Sequence, residues 1–550
     1  MTKQDPHHDG VGHRPDLSEA VVPGLAPECS DGVALTEARE DGHPLREMFR
    51  IALPSVVTMT SYTVMQFIDA WMVSRITPSD PVHVPAQGNG GIMVWVVASL
   101  TLGLLMVVNT FVSQNLGAGT PQRAPRYAWS ALWLSLVSVL WFVPAAFVVP
   151  SVFAASGHPP EQVVLETQYA QILFFGAVLL CAGRGMHQFF YGLHRAGIVL
   201  KAVLIGNLVN LGANWVLIYG NLGAPAMGVP GAAVATVIGQ VFELAIPLAV
   251  FLGPKLNAEL GTRSAWKPDV GAIKDLLRIG WPAGLMMVNE ILCWSYLMSY
   301  LVPRAGRAAA EAAGKSAEAI EQAGVLANEA GWIALRYMHA SFMPTVGLSI
   351  AVTALVGKCM GMRRPDLAAQ RAWLGLKIAM IYMGLWALAF VFFGGELLSV
   401  FVPAGESPER VEALLAIGVP IMIAAAVFQL FDAVAITMSG ALRGTGDTVW
   451  PGVMTVILSW ACVVGGGVLM IEVAPQLGSL GPWIAASAYI VLLGVLFLGR
   501  FTRGKWRSIE LLGRSSGGEA GSGGAEILPL NRTESEQIGA RALEPDASAS

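Results

Sequence analysis

Between two polar ends, the chain alternates long apolar runs with short polar breaks. Twelve runs stand out, near residues 51–74, 92–115, 127–152, 168–190, 198–220, 231–252, 279–302, 332–357, 373–401, 411–438, 449–471 and 481–500. Each is long enough to cross a bilayer core, which takes roughly 20 residues of helix. A backbone in lipid must satisfy its own hydrogen bonds, so these runs are read as helices. A β-barrel would show short alternating segments, and the chain has none. The pattern predicts an all-α polytopic membrane protein with twelve transmembrane helices.

The breaks carry the topology. One alternate set of loops and flanks holds Arg46, Arg50, Arg123, Arg126, Arg195, Lys201, Lys255, Arg263, Lys267, Lys274 and Arg278, then Lys358, Arg363, Arg364, Arg371, Arg443, Arg500, Arg503, Lys505 and Arg507. The other holds Arg75, Arg304, Arg307, Lys315 and Arg410. The positive-inside rule places the first set, and with it both termini, in the cytoplasm, and the protein in the inner membrane. Residues 1–45 and 503–550 read as disordered cytoplasmic tails, the second containing the linker-like run 515–524. No basic segment leads a short apolar run at the N-terminus, so a cleavable signal peptide is not expected.

The two halves echo each other. Arg50 through Pro54 corresponds to Arg278 through Pro282; Gly103, Val112, Gly117 and Pro121 correspond to Gly347, Val356, Gly361 and Pro365; Gly192 and Arg195 correspond to Gly440 and Arg443. Both halves start on the same side of the membrane. They form a parallel repeat: a six-helix lobe over 46–255, a linker over 256–278 and a second lobe over 279–502, related by a pseudo-two-fold axis along the membrane normal. Transporters built from repeats place the substrate at the interface between them. The Ala-rich insert 303–331 interrupts the echo and reads as one exposed periplasmic helix, with Glu311 and Lys315 a turn apart.

Composition narrows the function. The chain has 550 residues, 54% hydrophobic and 13% charged, with a net charge of −4. That excludes a soluble enzyme and gives no basic surface for nucleic acid. Five scattered cysteines form no CxxC pair, so they are read as free thiols. There is no Walker motif for an ATP-driven pump. There is no HExxH or paired-histidine cluster for a membrane enzyme.

Charge inside the membrane is costly and by default marks a path for ions or substrate. Asp69, Glu290 and Asp432 fall within apolar runs, with no basic residue a turn away. Glu290 and Asp432 sit at compatible depths in one lobe. Paired carboxylates in low dielectric take up a proton or a small cation. Asn207, Asn210 and Asn214 stripe the fifth run. Their amide oxygens suit Na+ if a carboxylate joins them, or they hold helices together. Met65, Met286, Met287 and Tyr296 offer an adaptable apolar wall, and Glu243, Asn289 and Gln429 are further candidates to line a cavity. Arg184, His187, His194, Arg336 and His339 read as snorkelling or loop-packing residues.

With 67–74, 114–119, 210–225, 231–236, Glu290 and 432–447 in this order, the chain resembles the multidrug and toxic compound extrusion (MATE) family, closest to its NorM-type branch. The resemblance covers about residues 45–500. It implies that Glu290 and Asp432 carry cation and substrate chemistry in the C-terminal lobe. It also implies that Asp69, Asn210, Asn214 and Thr236 form a cation site in the N-terminal lobe. Two features depart from the family: the long insert, and His187 with Arg184 where the family often has arginine at the exit of the fourth helix. The expected function is antiport of amphipathic cationic drugs or metabolites against Na+ or H+, by a monomer needing no other cofactor. A lipid-precursor flippase of the same superfamily is the alternative, but its pyrophosphate cargo calls for a basic cavity.

Overall fold

The computed structural model describes residues 43–76, 81–402 and 406–512. Within them the chain is wholly helical, and twelve helices are long and apolar enough to cross a membrane. They are α1 (Pro44–Ser74), α2 (His83–Gly117), α3 (Pro121–Ala154), α4 (Pro160–Gly192), α5 (Ala196–Tyr219), α6 (Val229–Leu252), α7 (Val270–Ala312), α8 (Ala317–Gly361), α9 (Pro365–Ser399), α10 (Pro408–Thr445), α11 (Val449–Val473) and α12 (Leu480–Thr502). The start of α1 and the end of α12 share one face of the bundle, called here the terminal face.

Many helices overrun the apolar runs that announce them; proline opens α1, and polar side chains cap the starts of α7, α8 and α10. The Asp69-bearing α1 starts at Pro44, and α7 starts at Val270, where the Asp269 carboxylate accepts from the Ala272 N–H at 2.9 Å. Ser316 and Ser407 cap α8 and α10 in the same way. The expected linker over 256–278 is therefore shorter, spanning 253–269 and containing a short helix, Pro254–Leu260. The expected tail beyond 503 is ordered as far as 512: a 3-10 turn, Lys505–Ser508, stacks Trp506 on Phe501. Residues 1–42, with His7, His8, His13 and Cys29, and the run 515–524 lie outside the described residues. Cys181, Cys293, Cys359 and Cys462 are free thiols.

The insert is two helices rather than one. α7 continues to Ala312, and α8 begins at Ala317 and returns antiparallel against it. Lys315 lies in the turn, not a helical turn above Glu311. Small residues make the hairpin close: a Cβ on Gly306 would fall 2.7 Å from the Ala323 carbonyl oxygen and from the Ala327 Cβ.

Helix pairings repeat when every index rises by six. α1–α5, α2–α4, α3–α4, α4–α6 and α5–α6 in the N-lobe recur as α7–α11, α8–α10, α9–α10, α10–α12 and α11–α12 in the C-lobe. Between lobes, α1 packs on α8 and α2 on α7, the reciprocal pair that a two-fold axis demands. The symmetry holds at single residues. Gly347 lies against Ser55 and Val56, and Gly103 against their repeat counterparts Ala283 and Gly284. Gly117 lies against the Lys358 carbonyl, and Gly361 against the carbonyl of the counterpart Gln114. Only a residue without Cβ allows such backbone approach. At the counterpart loop positions Gly119 and Arg363, φ is +71° and +55°; the arginine keeps a left-handed turn that glycine takes without strain.

Gly306→Leu should overpack the hairpin and lower stability by about 1–3 kcal/mol. Thermal unfolding in detergent would show this as a reduced Tm, with binding of a fluorescent organic cation unchanged.

Candidate functional site

Two carboxylate clusters occupy the bundle, one in each lobe. In the N-lobe, α1 supplies Asp69, α5 supplies Asn210 and Asn214, and α6 supplies Thr236. The amide of Asn214 donates to Asp69 Oδ1 at 2.5 Å and to Asn210 Oδ1 at 3.2 Å. Thr236 donates to the Ala232 carbonyl at 2.9 Å, which leaves its oxygen free to accept. Asn214 Oδ1 is buried without a hydrogen-bond partner, and so is Oε1 of Gln87 on α2. Tyr169 of α4 links these groups, its phenol near Asp69, Gln87 and Thr236. The donor set is a carboxylate, amide oxygens and hydroxyls, hard ligands suited to Na+, and equally a carboxylate able to hold a proton.

In the C-lobe, Glu290 of α7 and Asp432 of α10 lie within range of each other's charge. Tyr489 of α12, buried in the lobe, donates its hydroxyl to Glu290 Oε1. Both carboxylates are partly exposed, and neither has an ion-pair partner among the described residues. The pair can bind one positive charge in a low-dielectric setting, whether a proton or the charged end of an organic cation.

Other expected lining residues divide. Asn289 is buried: its amide donates to Ser459 Oγ at 2.7 Å and its Oδ1 accepts from the Trp460 indole at 2.7 Å, tying α7 to a π-helical stretch of α11. Gln429 is buried too, donating to Ser341 Oγ of α8 at 2.5 Å. Both are interhelical ties. A polar residue in an apolar run shows that it needs a partner but not which face it takes. Met65 is buried and Met287 packs on the core, whereas Met286 is partly exposed beside Ala283, Arg443 and Pro451. Tyr296 is exposed and stacks on Tyr300 at 5.1 Å. Glu243 lies inside the N-lobe against Tyr62. Arg184 does not snorkel but lies on the Tyr62 ring.

At the terminal face the lobes are closed on each other. On α2, Asn109 donates to the Ile350 carbonyl at 3.3 Å, Thr110 to Arg443 O at 2.9 Å and Gln114 to Gly444 O at 3.0 Å. Buried Glu47 of α1 accepts from Lys358 at 3.2 Å and from Arg371 at 3.0 Å, joining α1 to α8 and α9. His194 Nε2 donates to the Ala354 carbonyl at 3.2 Å. Burial, then the charge of nearby Lys358, pushes that imidazole down to about 4, so it is neutral at physiological pH.

Sequence reasoning missed Tyr489, Tyr169, Gln87 and the Glu47 triad. A tyrosine inside an apolar run is the one available signal, since a buried phenol needs a partner. Gln87 lies before its apolar run begins, in a part of α2 that hydropathy does not register.

A sequence model of the MatE family matches residues 54–216 and 329–466. The chain is 27% identical over 471 residues to a probable multidrug resistance protein NorM of Mesorhizobium japonicum, covering 84% of this chain and 94% of that one. It is 27% identical over 427 residues to the multidrug resistance protein PmpM of Pseudomonas aeruginosa, covering 76% and 82%. Its fold is similar to that of a multidrug resistance MATE transporter of the MOP superfamily solved in an outward-facing conformation, with TM-score 0.75, 20% identity and coverage of 86% and 99%. A crystal structure of a MATE protein in complex with MaL6 gives TM-score 0.74 at 21% identity, covering 86% and 99%.

Tyr489→Phe should weaken binding of a fluorescent organic cation by about tenfold, the scale of a hydrogen bond to a charged group. Fluorescence titration of the purified protein would measure it, and Phe keeps the ring that packs the lobe.

Proposed function

The chain belongs to the MatE family, and from that premise we propose a secondary active antiporter that exports amphipathic organic cations while Na+ or H+ returns down its gradient. Membership and the multidrug-resistance names of its relatives make it a multi-pass multidrug efflux transporter acting on small molecules rather than an enzyme. The observation that carries the finer reading is the pair of carboxylate clusters, one per lobe and without basic partners, in lobes joined at one face. The bias of basic loops supports assigning that face to the cytoplasm.

On this reading the present arrangement is closed to the cytoplasm. Inward opening would break the bonds of Asn109, Thr110, Gln114 and His194 and separate Glu47 from Lys358 and Arg371. Moving a two-state equilibrium from 1:99 to 99:1 takes about 5.5 kcal/mol of differential binding. A cation at Asp69 and a drug at Glu290 and Asp432 are each charged ligands meeting buried anions, so their preferences between states can reach that scale. Coupling requires only that the two ligands favour opposite states.

The test is uptake of ethidium into proteoliposomes under separately imposed Na+ and pH gradients. Glu290→Gln and Asp432→Asn should each reduce gradient-driven transport at least about tenfold, since an amide cannot alternate between charged and neutral forms. Asp69→Asn should remove the response to the coupling ion while retaining most ethidium binding. Wild-type rates in all three variants would reject the assignment. Glu47→Gln should favour the inward-open state, read as increased labelling of a single cysteine introduced at Ser113 in an otherwise cysteine-free protein by an impermeant thiol reagent added from the cytoplasmic side.

A further inference from the structure

The segment that joins the lobes runs along α3, held there by two indoles. Trp129 Nε1 donates to the Thr262 carbonyl at 2.7 Å, and Trp133 Nε1 donates to the Trp266 carbonyl at 3.0 Å. Because α3 leads away from the terminal face, the chain from Thr262 to Trp266 descends with it. Trp133 lies seven residues beyond Arg126, about 10 Å further along the helix. It is inside the apolar run of α3, whereas Arg126 stands just before that run. The chain then returns to Asp269, whose Oδ2 lies 3.7 Å from Arg126 Nη1. Residues 262–269 thus form a loop that dips from the terminal face to the depth of the apolar run.

Beside this loop is a cleft of about 570 Å³ whose lining includes Arg126, Ser264, Lys267, Asp269 and Val270. Lys267 is exposed and has no hydrogen-bond or ion-pair partner among the described residues. Arg126 donates from Nη2 to the Tyr127 hydroxyl at 2.9 Å, and its Nε is buried without a hydrogen-bond partner. Asp269 is the one carboxylate in the lining. Its Oδ1 accepts from the Ala272 N–H, and its Oδ2 stays beyond hydrogen-bond reach of Arg126. Two cations therefore face one carboxylate that is already engaged. The apolar part of the cleft is open: Trp266 is 51% exposed and Val270 62%. Exposed apolar side chains continue from it away from the terminal face, Leu136 and Leu140 on α3 and Leu277 and Trp281 on α7.

We propose that this cleft binds an anionic phospholipid, with the phosphate between Arg126 and Lys267 and the acyl chains along Trp266 and the apolar side chains beyond it. The proposal stands apart from the antiport reading. Charge selects an anion, because the cations outnumber the carboxylate. Depth selects a lipid: the cations stand at the border of the apolar run, and an exposed indole hangs within it. A soluble anion would meet the first feature alone, whereas a phospholipid meets both. The two cations also divide the work. The planar guanidinium of Arg126 is fixed on Tyr127, while Lys267 carries its charge on a flexible stem that can turn from the depth of Trp266 toward the headgroups. A lipid seated here would touch α3 of the N-lobe and the start of α7 in the C-lobe together.

The experiment is native mass spectrometry of the full chain released from detergent micelles containing phosphatidylglycerol or phosphatidylcholine with the same acyl chains. Wild type should retain one phosphatidylglycerol about tenfold more tightly than phosphatidylcholine, the scale of one or two basic residues at an anionic surface. Lys267→Glu reverses the charge of an exposed residue that holds no structural bond, and should bring the two lipids within about twofold of each other. Lys267→Arg should keep the preference. Arg126→Gln should weaken phosphatidylglycerol by about fivefold. Lys315→Glu, in the hairpin turn at the opposite face, makes the same change in net charge and should leave the preference intact. Wild-type retention in both Lys267→Glu and Arg126→Gln would overturn the proposal. Equal retention of the two lipids by wild type would overturn it too, since charge would then play no part. A loss in Lys315→Glu as deep as in Lys267→Glu would reduce the effect to general attraction and overturn the site. Displacement of phosphatidylglycerol by millimolar inorganic phosphate would mark a free-anion site and overturn the lipid assignment.

Discussion

An ionised carboxylate in hydrocarbon has no cheap counterpart to water, and this cost organises the bundle. Three solutions appear. Glu47 is buried where Lys358 and Arg371 reach it, and it becomes a bolt between lobes. Glu166, at the opposite face, is enclosed by Asn89, Gln162 and His158. Asp69, Glu290 and Asp432 receive neutral donors at most and remain partly exposed. The first two solutions make structure; the third leaves carboxylates with no ion-pair partner among the described residues.

The duplicated architecture places these solutions. Because the lobes are related by a two-fold axis, a contact that lets one α2 residue approach α8 is returned by its counterpart on α8 approaching α2. Gly117 on Lys358 and Gly361 on Gln114 are one contact used twice. The functional groups break the same symmetry. Asp69 lies on the first helix of its lobe next to amides, whereas Glu290 lies on the equivalent helix next to a second carboxylate and a phenol.

Much of this was legible in the sequence for a simple reason: lipid imposes length and apolarity on every spanning helix. The twelve runs, the repeat register from Arg50 to Arg278 and from Gly117 to Gly361, and the three lone acids all follow from that one solvent. Helix ends were less legible, because Asp269, Ser316 and Ser407 terminate helices by capping outside the apolar windows. The insert was misread as a single exposed helix because alanine and glycine look like surface spacers in one dimension, yet Gly306 and Gly324 are the close-packing faces of a hairpin. The interhelical bonds of Asn289 and Gln429 were not legible, because polarity alone does not reveal azimuth. Tyr489 and Tyr169 were passed over because a tyrosine adds little to distinguish one apolar run from another.

One row of hydrogen bonds across the seam at the terminal face is chemically one-sided. Asn109, Thr110 and Gln114 reach from α2 to main-chain carbonyls of Ile350, Arg443 and Gly444. A side-chain donor is lost with a single codon, but no codon removes a peptide oxygen. Heritable tuning of these three bonds is therefore concentrated on the N-lobe side of the seam, whereas the bonds that Lys358 and Arg371 donate to Glu47 can be lost from the C-lobe side as well. The two repeats share a fold but not the same freedom to evolve.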